Sequence, residues 1–201
     1  MKKVQKGNFG YISYSKKKNI LITVIMFSIS ILIFVTGLIQ TGKRENLFTF
    51  VAIMGCLPAA KAAVGMILIC LQKPLDAELY KEMQAHVKDM TVLYESVISS
   101  YEKNIPLPCI VVSGLHVICY TTDAKLDTKF AEDHIKKILH DNGYKSNVKI
   151  FRDTKSFFRR LDEVYPHHLE MEAAVPFEPD ERYPDLTRNE LVKHVLLAIS
   201  V

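Results

Sequence analysis

The apolar positions fall into two long runs near the start of the chain, followed by a region of mixed periodicity. Ile20 to Ile39 is 20 residues without a charge, and Leu47 to Leu71 is a second apolar run of 25, interrupted by Pro58 and Lys61. At a rise of about 1.5 Å per residue, either run as a helix spans the ~30 Å of a bilayer's hydrocarbon core. Backbone groups have no water to bond with there, so the form predicted is a helical hairpin over 19–73, with spans of about 20–39 and 47–71. The first run exceeds the roughly 7–15 residues of a signal h-region. No small-x-small site follows between Thr36 and Lys43, so the run is expected to stay on the chain.

After Pro74 the pattern changes. Leu79, Met83, Val87, Met90, Leu93, Val97 and Tyr101 recur at steps of three and four, which predicts one amphipathic helix from Asp76 to Lys103. Cys109–Val112 and Leu115–Tyr120 are rich in β-branched and aromatic residues and flank Ser113–Gly114, the signature of a β-hairpin. Asp127 or Thr128 is expected to cap a helix running to His140, with Ile135, Ile138 and Leu139 inward and Gly143 as the stop. Val148–Phe151 reads as a third strand. Thr154 reads as the cap of a helix with Phe157, Phe158, Leu161 and Val164 inward, ended by Pro166. The order helix, strand, strand, helix, strand, helix predicts a cytoplasmic α+β domain over 74–165 with a small three-stranded mixed sheet. Its strand–helix–strand part is expected to be a right-handed parallel crossover. Residues 166–186 hold four prolines and six acids against one Arg, and read as a solvated acidic linker. Thr187 and Glu190 form a capping box for a C-terminal amphipathic helix over 187–201, which either folds back on the domain or docks on a partner.

The net charge of +4 hides an asymmetry. Residues 1–74 carry 10 Lys/Arg against one acid (+9), whereas 75–201 carry 16 against 21 (−5). The basic N-terminal segment 1–18 holds six lysines, while the loop between the runs holds only Lys43 and Arg44. The positive-inside rule then places both termini in the cytoplasm and the loop outside. Lys16, Lys17 and Lys18 would lie at the membrane face, where they could hold anionic lipid headgroups. The acidic remainder argues against nucleic acid as a partner. The four cysteines form no C-x-x-C pair, which suits buried thiols in a reducing compartment.

Within the second run, Gly55, Ala59 and Ala63 recur every four residues, a spacing that lets a neighbouring helix approach closely. Lys61 lies about 200° around the helix from Ala59. A lysine at mid-span costs roughly 2.5–3.5 kcal/mol on insertion scales. Either Lys61 meets an acidic group of a partner chain or a polar cavity between protomers, or its stem snorkels toward a headgroup past a kink at Pro58. The first alternative requires a homo-oligomer or another membrane partner.

Candidate chemistry is sparse. Asp-x-Lys occurs at Asp123–Lys125, Asp127–Lys129 and Asp153–Lys155. With the strand and helix order, these pairs are similar to metal-dependent nucleases of the PD-(D/E)xK type, in which acids hold a divalent ion and a Lys steadies the attacking water. The candidate catalytic set is therefore Asp123, Asp127, Asp153 and Lys155. The competing reading is helix and turn capping, which is preferred because the pairs follow strands and precede helices. His134 and His140 are six apart, a poor spacing for a helical metal pair, and His167–His168 and Arg159–Arg160 read as solvated surface. With no Gly-rich phosphate loop, G-x-S-x-G or H-E-x-x-H, no cofactor or metal site is predicted.

The segments KGNFGYISY (6–14), GCLPAAKAAVGMI (55–67), CYTTDAKLDTK (119–129), NGYKSNVKIF (142–151) and RLDEV (160–164) resemble a family of two-span membrane proteins from Firmicutes. Some members carry the label "O-linked GlcNAc transferase-like". The resemblance covers about residues 1–165 and implies a bacterial host and two spans, without an established activity. A sugar-nucleotide transferase needs a much larger catalytic domain, and no repeat of about 34 residues is visible. The expectation is a non-enzymatic scaffold, sensor or interaction module on a membrane anchor. The alternatives are a membrane-tethered metal-dependent hydrolase or nuclease, and a hairpin that serves as a subunit of a membrane complex through Lys61.

Overall fold

A computed structural model describes residues 3–100, 103–177 and 183–200. The chain divides into two units: residues 12–73, and the N-terminal segment up to Tyr11 together with the chain from Pro74 onward.

The first unit is a helical hairpin of α1 (Tyr11–Thr41) and α2 (Leu47–Leu71). Its seam is built from small and polar residues. Thr23, Ser30 and Gly37, three of the five buried positions of α1, recur at the seven-residue spacing of a coiled-coil seam. Ala52 and Ala59 are their buried counterparts on α2. A Cβ on Gly55 would come within 2.8 Å of Ser30 Oγ, and one on Gly37 would overlap the Phe48 side chain. Each contact lies seven residues from the other on both helices, in opposite directions, so the helices run antiparallel. Asn46 closes the turn. Its side chain accepts from the Thr49 amide at 2.9 Å and donates to Thr41 Oγ1 and to the Lys43 carbonyl, both at 2.8 Å. Helix α1 exceeds the predicted span, with 31 residues, and takes in Lys16, Lys17 and Lys18. The basic stretch 1–18 is thus divided, since the residues before Tyr11 are part of the second unit.

The second unit contains α3 (Ala77–Val87), β1 (Thr91–Ser99), β2 (Asn104–Ser113), β3 (His116–Tyr120), α4 (Thr128–Asp141), β4 (Asn147–Phe151) and α5 (Thr154–Val164). A 3-10 turn (Tyr165–His167), α6 (His168–Ala173) and α7 (Arg188–Ile199) follow. The sheet order is β1-β2-β3-β4, antiparallel up to β3 and parallel between β3 and β4. Helices cover both faces. Ile135 and Leu139 of α4 and Val192 and Leu196 of α7 pack with Leu93, Ile110 and Val117. On the other face, Met83 and Val87 of α3 and Phe157 and Leu161 of α5 pack with Val111, Ile118 and Tyr120.

Two expectations are corrected. The helix predicted over 76–103 ends at Val87, and Thr91–Ser99 is a strand, so the sheet has four strands rather than three. Lys88 at φ 51° breaks the helix. Residues 93–98 are then all buried, because both faces of the sheet are covered, and such a strand loses its alternation. The acidic linker begins as helix, the 3-10 turn and α6, and Met171 packs against the core; residues 178–182 lie outside the described part. Of the two options for the C-terminal helix, the structure adopts the first: α7 folds back on the sheet, and its capping box between Thr187 and Glu190 is formed.

Contacts at both edge strands interrupt ladders that would otherwise stand open to unwanted pairing. At β4, Glu132 accepts from the Ile150 amide at 2.9 Å and pairs with Lys149 at 3.3 Å. At β1, the Tyr94 amide donates to the Gly7 carbonyl at 2.7 Å, and Ser200 bridges Ile98. Gly7 has φ +86°, and a Cβ there would sit 2.8 Å from Leu197, so only glycine fits.

Candidate functional site

Asp123, Asp127 and Asp153 all lie at one end of the sheet, because β3 and β4 are parallel and each Asp follows one of them. Each carboxylate is nevertheless committed locally. Asp123 accepts from the Lys125 amide at 2.9 Å. Asp127 caps α4, accepting from the Lys129 and Phe130 amides at 3.0 and 3.1 Å. Asp153, and not the expected Thr154, caps α5, accepting from the Ser156 amide at 2.9 Å and its hydroxyl at 3.0 Å. The Ser156 hydrogen bonds hold the Asp153 carboxyl below the usual carboxylate range. Lys155 is exposed in the first turn of α5. Among the described residues, no three His, Cys, Asp or Glu side chains are placed to hold a metal ion. The arrangement does the work of caps, with anionic groups at the positive ends of two helices.

The hairpin places the other predicted residues. Ala59 is fully buried in the seam, and Gly55 and Ala63 are half-buried. Lys61 is exposed on the outer side of α2, along with Leu57 and Val64. Neither helix contains an acid. Lys17 and Lys18 are exposed and Lys16 is half-buried.

Of the four thiols, Cys56 and Cys70 are exposed on α2 and Cys109 and Cys119 are buried, so the expectation of buried thiols holds for the second pair alone. Cys109 and Cys119 lie on neighbouring strands but face opposite cores. Burial raises both thiol pKa values, so neither is a nucleophile at neutral pH.

Sequence reasoning missed a clamp at the β2–β3 turn. Arg188, 5% exposed, donates to the Gly114 carbonyl and, at 2.7 Å, to the Lys145 carbonyl. Asn189 accepts from the Gly114 amide at 3.1 Å. Gly114 has φ +55°, and a Cβ there would lie 2.6 Å from the Met171 carbonyl. The sequence signals were the Ser113–Gly114 turn and the position of Arg188 just inside a capped helix.

Beside this clamp is a cavity of about 600 Å³. One wall is a stripe of α4, Asp133, Lys136, Lys137 and His140, and the other is formed by Leu115 and residues 145–147. The i, i+3, i+4, i+7 spacing of the stripe was legible in the sequence, but nothing there showed what it faces.

Comparison with protein-family models, curated proteins and solved structures returns no match.

Proposed function

We propose that the chain is an integral protein of a bacterial cytoplasmic membrane, anchored by α1 and α2, with both termini and the α+β unit in the cytoplasm. The unit serves as a non-enzymatic scaffold, sensor or interaction module. The observation that carries the reading is the outer surface of the hairpin. Both helices are apolar over a membrane-length window, yet only 17% and 11% of those windows is buried. In water such a surface would be far larger than the apolar patches soluble proteins leave exposed. The 31 residues of α1 reach about 46 Å, so its basic first turns extend beyond a ~30 Å hydrocarbon core. Lys16, Lys17 and Lys18 then sit at headgroup depth, where anionic lipids attract them. The capping roles of Asp123, Asp127 and Asp153 support the non-enzymatic reading over a metal-dependent hydrolase or nuclease. Extraction of host membranes at pH about 11 tests the anchor: the protein is expected in the pellet, and release to the supernatant contradicts it.

A second reading concerns Lys61. Its outward position, two residues from the midpoint of α2, supports an intramembrane contact with a carboxylate that this chain does not supply from its spans. A second copy would bring another lysine, so the chemistry favours a different membrane protein over a homo-oligomer. Lys61→Leu is expected to leave insertion intact and to lower the apparent mass of the detergent-extracted complex on a native gel. Unchanged migration contradicts this reading.

A further inference from the structure

We propose that the cavity between α4 and the β2–β3 turn binds an organic phosphate, a phosphate ester carried on a partly apolar body. The inference rests on the sensing role proposed above and gives it a ligand class.

Charge is the first argument. Lys136, Lys137 and Lys145 line one concavity with a single acid, Asp133, among them. Among the described residues, none of the three lysines has an ion-pair partner, and the imidazole of His140 lies 3.8 Å from Asp141. Three cations around one concave surface repel one another and focus a positive field into it. An anionic ligand converts that repulsion into attraction. The buried guanidinium of Arg188 adds to the field from behind, since its partners are carbonyl oxygens of Gly114 and Lys145.

The second argument is an orphaned polar group. Ser146 lines the cavity and is 8% exposed, and its hydroxyl has no hydrogen-bond partner among the described residues. A buried hydroxyl left unpaired is unfavourable, and a χ1 rotation that brings it into the cavity would give it a phosphate oxygen as acceptor.

The third argument is shape. The Asn147 amide donates to the Leu115 carbonyl at 2.6 Å, and Arg188 holds the Gly114 and Lys145 carbonyls. The wall opposite α4 is therefore fixed before any ligand arrives, which lowers the ordering cost of binding. Leu115, 42% exposed, gives this wall an apolar patch. Inorganic phosphate would leave that patch unused, whereas a nucleoside or glyceryl body would cover it.

The same chemistry is offered by a soluble nucleotide and by an anionic lipid headgroup, so two probes are needed. Full-length protein in dodecyl maltoside is titrated with ATP and, separately, with dihexanoyl phosphatidylglycerol below its micellar concentration. Saturable binding of at least one probe is expected, weakening as salt rises. The variant carrying Lys136→Gln and Lys137→Gln should lower that affinity at least tenfold, and Ser146→Ala should lower it less. Lys125→Gln, outside the cavity, should leave it unchanged. Binding of ATP alone assigns a soluble ligand, and binding of the lipid alone assigns a headgroup. Saturation by neither probe overturns the proposal, as does a loss as large in Lys125→Gln as in the double variant. Neither result touches the anchor, which pH 11 extraction tests independently.

Discussion

Asp153 and His116 show how single side chains couple this fold to pH. The Asp153 carboxyl is held below its usual range by Ser156, so it favours the folded chain while ionised. That contribution is present above the ordinary carboxylate pKa of about 3.9 and fades as pH falls through the lower folded value. The pKa of His116 at the start of β3 is lowered by burial and then by nearby Arg160, so its imidazole charges at a lower pH in the folded state than in the unfolded chain. The unfolded chain takes up that proton first, and stability falls as pH drops through about 6.5. Urea midpoints of the detergent-extracted protein should therefore decrease between pH 8 and 5. His116→Gln should flatten that slope, and an unaltered slope would remove His116 as its source. The sequence made the caps legible because Asp before a helix has one dominant use. It left only indirect signals of the Arg188 clamp, the Ser113–Gly114 turn and the capped helix start, because a buried guanidinium is recognised by the carbonyls that surround it.

At the scale of elements, the runs that face a single environment were readable and those sealed on both sides were not. Helices α4, α5 and α7 each carry one apolar stripe and one solvated face, so period and caps located them. Strand β1 is covered on both faces, and its Leu93 and Val97 continue by coincidence the spacing of Leu79, Met83 and Val87 in α3. The better signals were Thr91–Val92 and Val97–Ile98, β-branched pairs that suit a strand better than a helix. The hairpin seam was legible in half: Gly55 and Ala59 pointed to close approach, while the partner stripe of Thr23, Ser30 and Gly37 is masked by the apolar residues around it. Gly55→Leu would force a side chain into Ser30, an overpacking that costs on the order of 1–3 kcal/mol. The variant should unfold at a lower temperature in detergent, whereas Gly65→Leu, at a position open to its surroundings, should not. Equal stability of the two variants would refute the seam.

On the scale of the whole molecule, the +4 net charge is the difference between a basic first third and an acidic remainder. The apolar fraction likewise combines an outward-facing hairpin with an α+β core covered on both faces. These opposite exteriors on one chain make sense if a membrane surrounds the first and cytoplasm the second. Labelling in intact cells tests that claim most directly. Arg44→Cys, in the loop between α1 and α2, should react with a membrane-impermeant maleimide added outside, whereas His167→Cys should react only after the membrane is permeabilised. External labelling of His167→Cys, or protection of Arg44→Cys, would contradict the placement.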